Sequence, residues 1–311
     1  MHRLLWLASS NARLCLILGL LGGLLLPGLA GAMVPWLPLM VAGLLTTSAL
    51  RIGHRAATGA ITDLRWGLGS VVVLQTFLPL VLVGALSLLG LMNTPAALAT
   101  VLVCAAPAIT GSINLSLLMK LDAGRMMQIL VLGTAAFPLT VLPVLWVLPQ
   151  LGDPMTVILA ALKLLGVILF ATAVGFVLRA WFFPDPTEGQ IKALDGLSVL
   201  AFSIIVVGLM AALNPALRSD PFAVVQWTVL AFVVCFGLQG LTLLTLRKSR
   251  LQPVAGILAL GAGNRNIAIF LVALPPEIMA PLMIFIGCWQ LPMYLTPLLL
   301  PRIYNKALGH E

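Results

Sequence analysis

The chain has very little charge. Asp, Glu, Lys and Arg make up 8% of its 311 residues, and hydrophobic residues make up 61%. A soluble domain carries roughly 25% charged residues, so a soluble globular fold is excluded. Acid is scarcest. The carboxylates are Asp63, Asp122, Asp153, Asp185, Glu188, Asp195, Asp220, Glu277 and Glu311, all in loops, at segment ends or at the terminus. None is expected at mid-membrane depth, which removes the usual Asp, Glu or His proton relay. His2, His54 and His310 lie at a terminus, in a loop and at the other terminus, and are read as solvated. Cys15, Cys104, Cys235 and Cys288 all fall in apolar stretches, with no CxxC spacing. They are expected to be small buried hydrophobes rather than disulfide halves or metal ligands. There is also no GxSxG and no HExxH. Without a nucleophile and base or a metal set, no enzyme is expected.

What is present is long apolar runs. A helix needs about 20 apolar residues to cross a bilayer. Segments at 14–31, 35–50, 67–91, 96–119, 126–149, 155–182, 194–214, 221–246, 254–275 and 279–301 meet that need and make ten. The start resembles a secretory signal. However, Arg13 directly precedes the apolar run, and the first segment is needed to equalise the halves, so it is expected to be retained. The net charge of +8 does not imply nucleic acid, because basic residues collect in cytoplasmic loops. With a cytoplasmic N-terminus, the inside loops hold Arg3, Arg13, Arg51, Arg55, Arg65, Lys120, Arg125, Arg179, Lys192, Arg247, Lys248, Arg250, Arg302 and Lys306. The outside loops hold only Arg218, and Lys163 and Arg265 fall within helices. This bias is expected to place both termini on the cytoplasmic side, and the expected membrane is a plasma membrane such as the inner membrane of a bacterium. Lys163 is read as snorkelling. The tryptophans are read as an interfacial belt without chemistry.

The polar connector Pro184–Gly196 divides the chain into two five-helix halves. Five crossings per half make any repeat inverted. The first repeat ends near residue 150, within a first region 1–183, and the second covers 155–311. Two segments in corresponding places are interrupted by small and polar residues: CAAPAITGSINLSLLM (104–119) and LALGAGNRNIAIFLVALP (258–275). Backbone can leave the helix at that depth only where protein or a water-filled cavity satisfies it. A matched pair of breaks points to a transporter's central site. Gln75 and Gln239 precede the two breaks at matched positions. They either face the site or satisfy groups inside the bundle. Thr110, Ser112, Asn114 and Asn266 are candidate substrate ligands, or caps for freed backbone. Pro107, Gly111, Gly261, Gly263 and Asn264 form the candidate crossover backbone. Arg265 lies inside the second break. It could donate to carbonyls of the unwound chain or bind an anion. Half-helix N-termini at the break are expected to add positive potential.

At these residues the chain resembles the bile acid:sodium symporter family. The resemblance rests on Cys104 to Ser112 with Asn114 and Lys120-Leu121-Asp122, on GNRNIAI in the ninth segment, and on Gln75 ahead of Pro79. It implies an all-α integral membrane fold with ten transmembrane helices in two inverted five-helix repeats. It implies a panel of helices at 14–50 and 155–214, a core at 67–149 and 221–301, and helices four and nine crossing at their breaks. Substrate, a small organic anion, would bind beside the crossing. The sodium-site positions of the family fall on Gly261, Arg265, Met126 and Leu130, none of which is a sodium ligand. A sodium cofactor is therefore not favoured, no other cofactor is implied, and the expected partners are the anion and the lipid bilayer. A sodium-coupled symporter and a membrane sensor for a small anion stay open as alternatives.

Overall fold

The computed structural model describes residues 2–59 and 63–309; His310 and Glu311 lie outside them, as do the side chains of His2, Arg13 and Arg55. The described residues are helical, with no strand and one isolated antiparallel bridge between Ala108 and Arg265. Among the described residues, seven helices are long and apolar enough to cross a membrane: Pro27–His54, Leu64–Leu88, Ala123–Trp146, Pro154–Phe182, Glu188–Ser219, Pro221–Leu246 and Pro276–Leu299. The fourth and ninth segments instead begin with the shorter apolar helices Pro95–Ala105 and Gln252–Gly263.

The first segment differs from the sequence reading. Its helix ends at Leu25, and Pro27 opens the next helix directly. Proline has no N–H for the preceding turn and pushes the residue before it out of helical backbone. Leu26 is accordingly non-helical (φ −117°, ψ 65°). The boundary expected between 31 and 35 therefore falls at Leu26.

The chain forms two compact units. One comprises Met1–Gly59, Leu162–Val224 and Ala268–Gly287; the other comprises Ala60–Ala161, Val225–Ile267 and Cys288–Glu311. In the first, the helices before residue 59 pack along Glu188–Leu209. Small residues let these backbones approach, as in membrane helix pairs. A Cβ on Gly23 would meet the Val207 carbonyl oxygen at 2.6 Å. Both ends of this packing are pinned by polar contacts. Trp6 Nε1 donates to the Gly189 carbonyl (3.1 Å), and Arg51 pairs with Asp195 (2.6 Å). At the opposite end Asn214 Nδ2 donates to the Leu24 carbonyl (2.6 Å).

In the second unit Leu64–Leu88 packs on Ala123–Trp146, and three limbs of the two broken segments, Pro95–Ala105, Ser112–Leu118 and Gln252–Gly263, lie within it. Arg125 pairs with Asp63 (2.7 Å) and lies over the Trp66 ring, 4.4 Å from its centroid. The Arg125 hydrogen bond holds the Asp63 carboxyl below its ordinary range. The C-terminal helix Pro301–Leu308 buries Tyr304 and Leu308, and Gln252 Nε2 donates to the Leu308 carbonyl (2.9 Å).

Candidate functional site

The fourth segment starts cleanly. Thr94 caps it, its side chain accepting from Ala97 N (3.1 Å), and Pro95 takes the first position, where no N–H is needed. Its helix stops at Ala105. Pro107 forces Ala106 into extended backbone (φ −58°, ψ 152°). Helix resumes at Ser112 and runs to Leu118. The ninth segment leaves helix after Gly263 and continues as a 3₁₀ stretch, Ile267–Val272. Ile109 N donates to the Asn264 carbonyl and Asn266 N to the Pro107 carbonyl, each at 2.9 Å. The two breaks therefore satisfy each other's backbone, as burial demands.

Arg265 is the centre of this exchange. It is 1% exposed. Its Nε donates to the Ala262 carbonyl (2.9 Å), Nη1 to the Ala106 carbonyl (2.9 Å) and Nη2 to the Leu74 carbonyl (3.0 Å). Each acceptor is a carbonyl that its own helix has lost. Ala262 would have bonded Asn266 N, which instead reaches Pro107. Ala106 lies one residue beyond its helix. Leu74 sits in a π-helical turn, Val73–Phe77, where Leu78 N bonds the Val73 carbonyl. The next donor in that register is residue 79, a proline without an N–H. Pro79 therefore leaves the Leu74 oxygen open, and Arg265 fills it. Trp289, fully buried, donates Nε1 to the Arg265 carbonyl (3.0 Å).

This arrangement corrects the expected field. Arg265 lies at the C-terminal ends of Pro95–Ala105 and Gln252–Gly263, where helix dipoles are negative, and not at half-helix N-termini. Donation to carbonyls, one of its sequence readings and compatible with anion binding, is present. Its partners are neutral, so the net positive charge remains. Trp289 also departs from the interfacial belt, because it holds the crossover.

The matched glutamines are engaged within the protein. Thr140 Oγ1 donates to Gln75 Oε1 (2.8 Å), and Gly133 packs on the Gln75 amide. Tyr304 Oη donates to Gln239 Oε1 (2.7 Å), and Gln239 Nε2 donates to Thr296 Oγ1 (3.3 Å) and to the Cys235 carbonyl (3.2 Å). Thr296 Oγ1 also lies 3.4 Å from Asn264 Oδ1, and Asn264 Nδ2 donates to the Leu260 carbonyl (3.0 Å). A polar chain thus runs from Tyr304 to the ninth-segment break. Gly263 lies against Gln239, with the place of a Cβ 2.6 Å from Nε2.

The remaining candidates divide differently. Among the described residues, the side chains of Asn266 (7% exposed) and Asn114 (exposed) meet no hydrogen-bond partner, and neither does the fully buried Ser112 Oγ. Thr110 and Gly111 are half-buried between the limbs. A Cβ at Gly261 would meet Met126 Cε at 3.6 Å, Ile129 Cγ2 at 3.7 Å and Leu74 Cδ1 at 3.8 Å, an apolar surround, and Leu130 is buried nearby in sequence on the Met126 helix. Cys104, Cys235 and Cys288 are buried free thiols. Lys163 is exposed. Sequence reasoning missed Trp289, Thr140, Thr296, Tyr304 and the Leu74 carbonyl. Only the last left a trace, in Pro79. Comparison with protein-family models and with curated proteins returns no match.

Proposed function

We propose that the chain is a secondary transporter or facilitator of a small organic anion, a carboxylate, working by alternating access. Its ten spans would form two inverted five-helix repeats in a plasma membrane, with both termini cytoplasmic. The observation that carries this reading is the crossing of two interrupted helices through reciprocal backbone bonds, since irregular backbone at such depth belongs to binding sites. The Gln75–Thr140 and Gln239–Thr296 pairs support the repeat, because each joins the segment before a break to the segment after it. Substrate is recognised by the unpartnered Asn266, Asn114 and Ser112 groups, while Arg265 supplies field rather than a hydrogen bond. An anion about 8 Å from the guanidinium gains about 2 kcal/mol at an effective dielectric near 20.

Arg265 also does the electrostatic work of a bound cation. It holds three orphan carbonyls together with a fixed positive charge. A sodium ion placed ~4 Å away would be repelled by about 4 kcal/mol at the same dielectric. Transport is therefore independent of sodium. The test is counterflow of labelled small carboxylates in proteoliposomes, with sodium replaced by potassium or choline. Unchanged saturable flux is expected. Loss of flux without sodium would favour the sodium-coupled symporter, and binding without flux would favour a sensor. Preference for cations or neutral sugars over carboxylates would overturn the substrate class.

A further inference from the structure

The helix His2–Ser10 plays no part in the crossover. It meets the following apolar helix, Leu14–Leu25, at 89°. If Leu14–Leu25 enters the bilayer, as the reading above has it, the preceding helix lies in the membrane surface. Its surface suits that place: Leu4, Trp6 and Leu7 are exposed, while Ala8 is buried. Such a helix sits with its apolar face at the boundary of headgroups and acyl chains. It is also fixed in position. Trp6 Nε1 bonds the Gly189 carbonyl, and Gly196, lacking a Cβ, lets the Leu5 backbone close in.

Beside it opens a cavity of about 720 Å³ lined by Arg3, Trp6, Leu7, Ser10, Thr187, Gly189 and Gln190. The lining combines one guanidinium, two hydroxyls, an amide and two apolar side chains. Lys192 adds a second cation, its Nζ over the Trp6 ring, 4.4 Å from the centroid. Glu188 is exposed and does not line the cavity. We propose that this cavity is a binding site for the headgroup of an anionic phospholipid of the cytoplasmic leaflet. Arg3 and Lys192 hold the phosphodiester, Ser10, Thr187 and Gln190 bond the glycerol and ester oxygens, and Trp6 and Leu7 cover the first acyl carbons. A lipid is the occupant rather than a soluble phosphate because the cavity adjoins the exposed leucines of a surface helix.

The test is native mass spectrometry of the full chain in detergent with dioctanoyl-phosphatidylglycerol, dioctanoyl-phosphatidylcholine or glycerol 1-phosphate. Basic residues near a membrane each favour anionic lipid by about fivefold, so phosphatidylglycerol should be held roughly 25-fold more tightly than phosphatidylcholine. Arg3→Gln should reduce that preference to about fivefold, and Arg3→Gln/Lys192→Gln should abolish it. Arg302→Gln, on the C-terminal helix, should leave it intact. Equal retention of the two lipids, or a double variant like wild type, would overturn the proposal. So would glycerol 1-phosphate binding as tightly as phosphatidylglycerol. The assay involves no flux, so its outcome is separate from that of the transport reading.

Discussion

Arg265→Gln tests the clamp most directly. Glutamine is shorter and its NH2 has two N–H donors, so of the Ala262, Ala106 and Leu74 carbonyls it leaves one or two without a donor. A buried orphan acceptor costs about 1–3 kcal/mol, giving about 1–6 kcal/mol. Removing the buried guanidinium returns part of its desolvation cost, which leaves a net loss of about 1–3 kcal/mol. At roughly 2 °C per kcal/mol for a chain of this size, Tm in detergent should fall by about 2–6 °C, and counterflow should be crippled even with sodium present. The mechanism has a sharper signature in a second position. Pro79→Ala supplies the N–H that the π-helical register lacks, so the Leu74 oxygen gains a donor of its own. Arg265→Gln should then cost about 1–2 kcal/mol less in the Pro79→Ala background than in wild type. This is a double-mutant coupling well above the ~0.3–0.5 kcal/mol scatter of independent sites. Equal cost in both backgrounds would refute the account of why Leu74 needs Arg265. An unchanged Tm and normal flux for Arg265→Gln would refute the clamp itself.

Three further outcomes follow from the packing and the loop charges. Gly263→Ala should lose about 1–3 kcal/mol by thermal unfolding, because its Cβ meets Gln239 Nε2 at 2.6 Å, whereas Gly261→Ala should be near neutral, its nearest neighbour being 3.6 Å away. Tyr304→Phe should cost about 1–3 kcal/mol by leaving the buried Gln239 Oε1 without its donor, and this should be visible as a lowered Tm. Asp63 has a depressed pKa through Arg125, so the stability it contributes is present above the unfolded carboxylate pKa of about 3.9 and is lost as pH falls through the lower folded value. Asp63→Asn should remove that acid limb from a Tm-versus-pH curve while leaving the neutral region flat.

The sequence carried the apolar segments and the positions of both breaks, because hydrophobic length and proline or glycine placement are local properties. Pro107 and the Gly263-Asn264 step interrupt helix wherever the chain goes. The first boundary was misplaced because the apolar run continues straight through Pro27, so composition hid the stop that backbone chemistry imposes. The partners in the site were not legible. Gln75 and Gln239 looked alike as candidate ligands, yet their choice of Thr140 and Thr296 depends on which helices become neighbours. Arg265 could be read as an anion binder because sequence does not show that three carbonyls are left open around it. Trp289 resembled an interfacial residue because burial is a property of the packed chain.

The distances along the chain have a consequence during synthesis. The Ala106 and Leu74 carbonyls receive their donor from a residue 159 and 191 positions later. At about 5–20 residues per second, the first break waits on the order of ten to thirty seconds after it emerges before Arg265 exists. Neither oxygen has this donor in the interval. The junction that joins Leu74, Ala106 and Arg265 can therefore close only after the ninth segment has been made.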